Sequence, residues 1–119
     1  MSNLQVFRNA DFVVRTLEEN GNIWFVVKDV VKALEYTKYK SRWFHFVPDM
    51  YKSKKRLLTT NGEQDMLCLT EEGLYSFLGN FDKPKALAFL MWIRGHVVPS
   101  IKRTDNGAKT FLELVANAD

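Results

Sequence analysis

His45, His96 and Cys68 are the side chains of this 119-residue chain best suited to act as base, nucleophile or metal ligand. Their spacing argues against all three uses. The histidines lie far apart, and neither stands at a metal-ligand interval from the other or from the cysteine. His45 sits between Phe44 and Phe46, which reads as an ordinary packed or partly exposed histidine. His96 falls in a helical pattern as a polar position, and Cys68 in a strand pattern as a small buried hydrophobe. There is no nucleophile elbow, no phosphate-cradling glycine loop and no zinc pattern. The expectation is a protein that is not an enzyme and needs neither cofactor nor metal.

Charge is the stronger signal. The formal net charge is only +3, yet residues 38–58 hold seven cations against one carboxylate, Asp49. These are Lys38, Lys40, Arg42, Lys52, Lys54, Lys55 and Arg56, interleaved with Tyr39, Trp43, Phe44, Phe46 and Tyr51. Lysine and arginine neutralise phosphates, and aromatic faces stack on unpaired bases, so the segment is a candidate DNA-binding site. Tyr39 and Trp43 are its candidate stacking residues. The bland reading is a solvated loop whose charges serve solubility and whose aromatics anchor it to the core. Lys102 and Arg103 form a smaller basic pair, which favours a helix C-terminus for stability alone.

The elements that would position this segment are legible in outline. Leu4 to Phe7 reads as a short strand. Phe12 to Leu17 and Ile23 to Val27 flank Asn20-Gly21, whose tolerance of positive backbone angles suits a tight hairpin. The chain then enters a helix near Lys28-Asp29, where Asp29 caps it or sits in its first turn facing the dipole, the cap being the preferred reading. A short helix is expected before Pro48, because a residue preceding proline avoids helical angles. Arg56 to Thr60 and Asp65 to Leu69 form a second hairpin around Asn61-Gly62. Thr70 caps a helix carrying Leu74, Tyr75, Phe77 and Leu78, which Gly79-Asn80 ends. Pro84 starts a long apolar helix with Ala86, Leu90, Ile93 and Val97 on one stripe, widened by Phe89 and Trp92. Pro99 kinks or ends it. Phe89 and Trp92 are candidate protein-interface anchors, although a core role is the commoner one for such residues. The fold class is α+β, a small antiparallel sheet from two Asn-Gly hairpins packed on three to four helices.

Composition agrees with one folded domain: 46% hydrophobic and 13% aromatic residues support a single core. The longest uncharged apolar run, Ala86 to Ile93, is far short of a membrane span. Met-Ser-Asn-Leu-Gln has neither the basic start nor the apolar stretch of a secretory signal, and a lone cysteine suits a reducing compartment. A cytoplasmic location is expected, with nucleoid association if DNA is bound.

The order of these pieces resembles the BRO family N-terminal domain of phage antirepressors and insect-virus DNA-binding proteins. The resemblance rests on Leu4-Gln5-Val6-Phe7, Trp24 to Val30 (W-F-V-V-K-D-V), Ala33-Leu34 with Tyr36, and Asn61-Gly62 with Gln64. It continues through Gly73-Leu74-Tyr75, Lys85-Ala86, Phe89, Trp92-Ile93 and Val98-Pro99-Ser100-Ile101. It covers about residues 3–104, so residues 1–104 are taken as the domain and 105–119 as a tail with a short amphipathic helix. Two local departures stand out: Glu35 where the family usually has glycine, and Gly79 to Asp82 in place of a serine-containing connection. Many relatives carry a second C-terminal domain, and any function housed there is not expected of these residues. The resemblance implies a viral or prophage regulator that binds DNA, or an antirepressor that binds a repressor or other host protein. A homodimer fits either reading.

Overall fold

The computed structural model describes residues 3–105. Five strands form one antiparallel sheet: β1 (Asn3–Arg8), β2 (Val13–Glu19), β3 (Asn22–Val26), β4 (Lys52–Thr59) and β5 (Gly62–Thr70). Their spatial order is β1-β2-β3-β5-β4, so both β1 and β4 are edges. Between β2 and β3, Asn20 and Gly21 take φ of 54° and 80°, the paired positive angles of a turn that matches strand twist. At the β4–β5 turn Gly62 has φ of 92° and Asn61 is not in the positive region. There the Thr59 hydroxyl accepts from the Asn61 amide at 3.1 Å and donates to the Gly62 carbonyl at 2.7 Å.

The strand periodicity decides what each face meets. Val14, Phe25 and Leu69 point to the helices and join the main core with Val30, Leu34, Leu74, Phe77, Phe89 and Ile93. The opposite face carries a smaller cluster of Leu17, Trp24, Val26, Leu57, Met66 and Cys68. Burial of every residue from Ile23 to Val27 follows from this two-sided demand.

Helix α1 (Val27–Ala33) follows β3 without a linker. Asp29 does not cap it, because the α1 N-cap has no side-chain hydrogen bond. Instead its carboxylate accepts the Arg15 amide at 2.9 Å and grips the guanidinium at 2.8 and 2.9 Å. β2 pairs with β3 only from Thr16 onward, so Asp29 satisfies the first amide left without a strand partner. At the other end of α1 the Glu35 amide donates to the Lys32 carbonyl and the Tyr36 amide to the Val31 carbonyl. These two bonds are a Schellman motif, and they force Glu35 to φ of 69°. Glu35 therefore holds a glycine-type conformation without being glycine.

Helix α2 (Glu71–Leu78) is capped by Thr70, whose hydroxyl accepts the Gly73 amide at 3.2 Å. A Cβ on Gly73 would sit 2.9 Å from the Tyr51 carbonyl oxygen, so the close approach of the preceding loop requires glycine there.

Residues 84–105 are helical but are not one regular apolar helix. α3 (Pro84–Trp92) passes into a π-helical stretch, Ile93–Val97, and then into α4 (Val98–Asp105). Pro99 does not end the helix, which continues to Asp105. A proline at 99 lacks the amide that would reach residue 95, and the wider turn just before it relieves the clash with that carbonyl. The buried stripe is Ala86, Phe89, Ile93, Val97 and Ile101, with Leu90 only half-buried. The tail expected from residue 105 lies outside the described residues apart from Asp105, which closes α4. No helix among the described residues is long and apolar enough to cross a membrane.

Candidate nucleic-acid interface

Two single 3-10 turns, Ser41–Phe44 and Asp49–Tyr51, carry the chain from α1 to β4. Aromatic packing fixes the first. Phe44 is buried and stacks on Phe77 with centroids 4.5 Å apart, while Tyr39 meets Phe44 edge-on at 5.3 Å. Trp43 packs edge-on against Tyr36 at 5.1 Å. The Lys52 ammonium donates to the Phe44 carbonyl at 2.9 Å, tying the turn to the start of β4.

β4 is an edge strand, and its alternation separates the cations that the sequence places side by side. Lys52, Lys54 and Arg56 pair with Leu69, Leu67 and Asp65, on the helix-side face. Lys55 pairs with Met66 and turns to the other face. There its ammonium lies 4.3 Å from the Trp24 ring centroid and 3.0 Å from the Glu19 carboxylate, with its side chain only 15% exposed. It supports the second hydrophobic cluster and cannot share a surface with Lys54.

Ion pairing divides the remaining set. Lys52 is 3.4 Å from Asp49, and Arg56 reaches Asp65 at 3.2 Å and Glu63 at 3.8 Å. Lys38, Lys40, Arg42 and Lys54 are exposed, and no carboxylate lies within ion-pair distance of them among the described residues. Lys28, outside the basic segment, shares both properties. It joins them because α1 starts beside β5: a cleft of about 210 Å³ is lined by Lys28, Tyr39, Gln64, Asp65, Met66 and Leu67. Leu67 also borders a second cleft of about 400 Å³ lined in part by Ser41, His45, Lys52 and Lys54. The two hollows adjoin along β5, giving a groove between residues 38–45 and the β4–β5 hairpin. The signal that would have added Lys28 is its place directly after a buried strand, where it must point outward.

Tyr39 lines this groove half-buried, and burial holds its hydroxyl above the usual phenolic value. Trp43 faces elsewhere. With Tyr36, Arg42, Phe46, Phe77, Asn80 and Phe81 it lines a separate cleft of about 510 Å³ on the far side of the 3-10 turn. His45 is exposed in the groove and His96 exposed on the π-helical stretch. Cys68 is fully buried, and burial pushes its thiol up to about 12. Among the described residues no three His, Cys, Asp or Glu side chains gather to hold a metal ion. Phe89 is fully buried against Phe12 at 5.2 Å, and Trp92 is half-buried against the same ring. Leu87 and Met91 are large exposed apolar residues of α3, at 59% and 64%.

One relative is an uncharacterized protein of Haemophilus influenzae (strain ATCC 51907 / DSM 11121 / KW20 / Rd), 29% identical over 99 residues. That stretch is 82% of this chain and 49% of the relative, so the chain spans about half the length of the curated protein it matches. No solved structure matches. The family model for the N-terminal domain of the BRO family matches residues 13–99, which takes in β2 through the start of α4, and the chain belongs to that family.

Proposed function

We propose that this chain is a viral or prophage regulatory protein that binds DNA along the groove between residues 38–45 and the β4–β5 hairpin. The observation that carries the reading is that Lys28 and Lys54 line the two adjoining hollows, while Lys38, Lys40 and Arg42 lie on the 38–45 segment that borders them; all five are exposed and without carboxylate partners among the described residues. A cation without a carboxylate partner breaks no ion pair on meeting a phosphate, and each phosphate neutralised releases counterions from the DNA. Lys52, Lys55 and Arg56 hold the scaffold through the bonds described above. Phosphate contacts orient a protein on DNA without reading sequence, so this groove supplies affinity and register. The test replaces Lys38, Lys40, Arg42 and Lys54 together by glutamine. Binding to a labelled 20-base-pair duplex then falls by at least about a hundredfold at low salt, while circular dichroism stays unchanged. Unchanged affinity in the folded variant defeats the assignment.

A second reading has its own observation. Leu87 and Met91 stand one turn apart on the solvent side of α3, with Ala88 and Gly95 exposed beside them. An exposed apolar pair of this kind suits a protein partner, such as a repressor, by the antirepressor route. Binding of such a partner would resist salt and be lost in Leu87→Glu/Met91→Glu.

A further inference from the structure

The 3-10 turn Ser41–Phe44 divides two concavities. Ser41 and Phe44 border the groove beside β4, whereas Arg42 and Trp43 line the 510 Å³ cleft behind it. That cleft lies within the size range of small-molecule sites, about 300–1,000 Å³. Its walls are aromatic to an unusual degree: Tyr36, Trp43, Phe46, Phe77 and Phe81 all contribute. Their rings brace one another, Trp43 on Tyr36 at 5.1 Å and Phe77 on Phe81 at 4.9 Å, so the slot is built before anything enters it. Phe46, 49% exposed, stands at the rim of the cleft.

The polar groups at the mouth are cationic or neutral. Arg42 lines the cleft, and the Lys83 ammonium lies over the Tyr36 ring, 4.1 Å from its centroid. Asn80 adds a carboxamide whose nitrogen donates to the Ser76 carbonyl at 2.9 Å, which orients its oxygen as an acceptor. The nearest carboxylates along the chain are Asp82 and Glu35, and Glu35 is drawn to Lys85 at 3.8 Å. An occupant must therefore present a flat ring to the walls and negative charge to the mouth.

We infer that this cleft takes one unpaired nucleobase, its flanking phosphates held by Arg42 and Lys83. The inference rests on the DNA-binding reading above and adds a specificity to it: DNA carrying an unpaired nucleotide near the contacted phosphates is preferred to perfect duplex. A base in a duplex has both faces occupied by stacking, so only an unpaired or extruded one can enter an aromatic slot.

The test compares a fully paired duplex with the same duplex carrying one bulged 2-aminopurine, whose fluorescence is quenched by stacking. The wild-type chain should bind the bulged duplex about tenfold more tightly, with quenching, since stacking on protein aromatics is worth about five- to hundredfold per base. Phe46→Ala should lose the gain and the quenching while binding the paired duplex as before. Trp43→Leu, which also alters packing on Tyr36, should lose the gain too. Equal affinity of wild type for both duplexes, or a gain that survives both variants, overturns the inference. If neither duplex binds, the DNA reading fails by itself. Deoxyadenosine monophosphate titrated against labelled protein by NMR then decides the cleft: shifts confined to Arg42, Trp43, Phe46, Asn80 and Phe81 sustain it, and no shifts overturn it.

Discussion

Lys54 and Lys55 are neighbours in sequence with opposite jobs in the structure, and replacing each by glutamine separates them. Lys54 is exposed on the helix-side face beside the groove, and on the proposed reading its removal deletes one phosphate contact. Each such contact contributes about 0.9 to the salt slope, so at about 0.1 M salt its loss weakens binding by roughly eightfold. Folding stability should move by less than about 0.5 kcal/mol, as for other exposed substitutions. Lys55 lies on the other face, paired with Glu19 at 3.0 Å and set over Trp24 at 4.3 Å. The ion pair is worth about 0.5–1 kcal/mol and the cation–π contact about as much. Lys55→Gln should then cost about 1–2 kcal/mol in urea unfolding and leave DNA affinity within about twofold, beyond the small general loss from one distant charge. Anisotropy with a labelled duplex and denaturant titration read the two effects independently. Equal losses of affinity in the two variants would refute the separation of faces.

Three further predictions concern the scaffold. Glu35→Gly should raise stability by about 1 kcal/mol in thermal or urea unfolding, because φ of 69° strains any residue with a Cβ and the bond to Lys85 is exposed and long; a loss of stability would contradict the helix ending described here. Asp29→Ala should cost about 3 kcal/mol and Asp29→Asn about half of that, since asparagine retains one acceptor for the Arg15 amide. Similar costs for the two would show that the charge contributes nothing. Cys68 should resist thiol reagents at pH 8 in the native protein and react fully in denaturant. Its folded thiol value is raised from 9.0 to about 12, so the folded state favours the protonated form; the stability this gives is complete below pH 9 and is lost as pH rises toward 12. Tyr75 is also raised, by burial and its bond to Glu71, and adds its own alkaline dependence, so the comparison is made against Cys68→Ala, whose alkaline loss should be smaller.

Where one residue type has one physical use, the sequence spoke clearly. Thr70 before two glutamates is the cap of α2, and the alternation from Met66 to Leu69 is a strand with two different faces. The resemblance built on the order of short motifs from Trp24 to Ile101 led to the family. Other features depended on tertiary partners that no local pattern records. Asp29 reads as a cap, yet its acceptors serve an arginine on strand β2. Pro99 reads as a break, yet a π-helical turn makes room for it. The basic segment suffered most, because charge counting cannot see strand alternation. β4 begins at Lys52, four residues before the expected Arg56, and that extension sends Lys55 to the far face. Phe89 is a candidate interface anchor by its size, with a core role the commoner one; it is in the core, and Leu87 and Met91, two positions to either side, are outside.

The central claim is that unpaired cations around the β4–β5 groove bind phosphates, and salt titration addresses it most directly. Duplex affinity would be measured by anisotropy between about 50 and 200 mM monovalent salt. Five contacts at about 0.9 each give a slope near −4.5 and a loss of roughly 500-fold across that range. That steep fall, reduced to near zero when Lys28, Lys38, Lys40, Arg42 and Lys54 are all glutamine, is the predicted result. Binding that is absent at about 50 mM salt, or that holds its strength at 200 mM, would contradict the account.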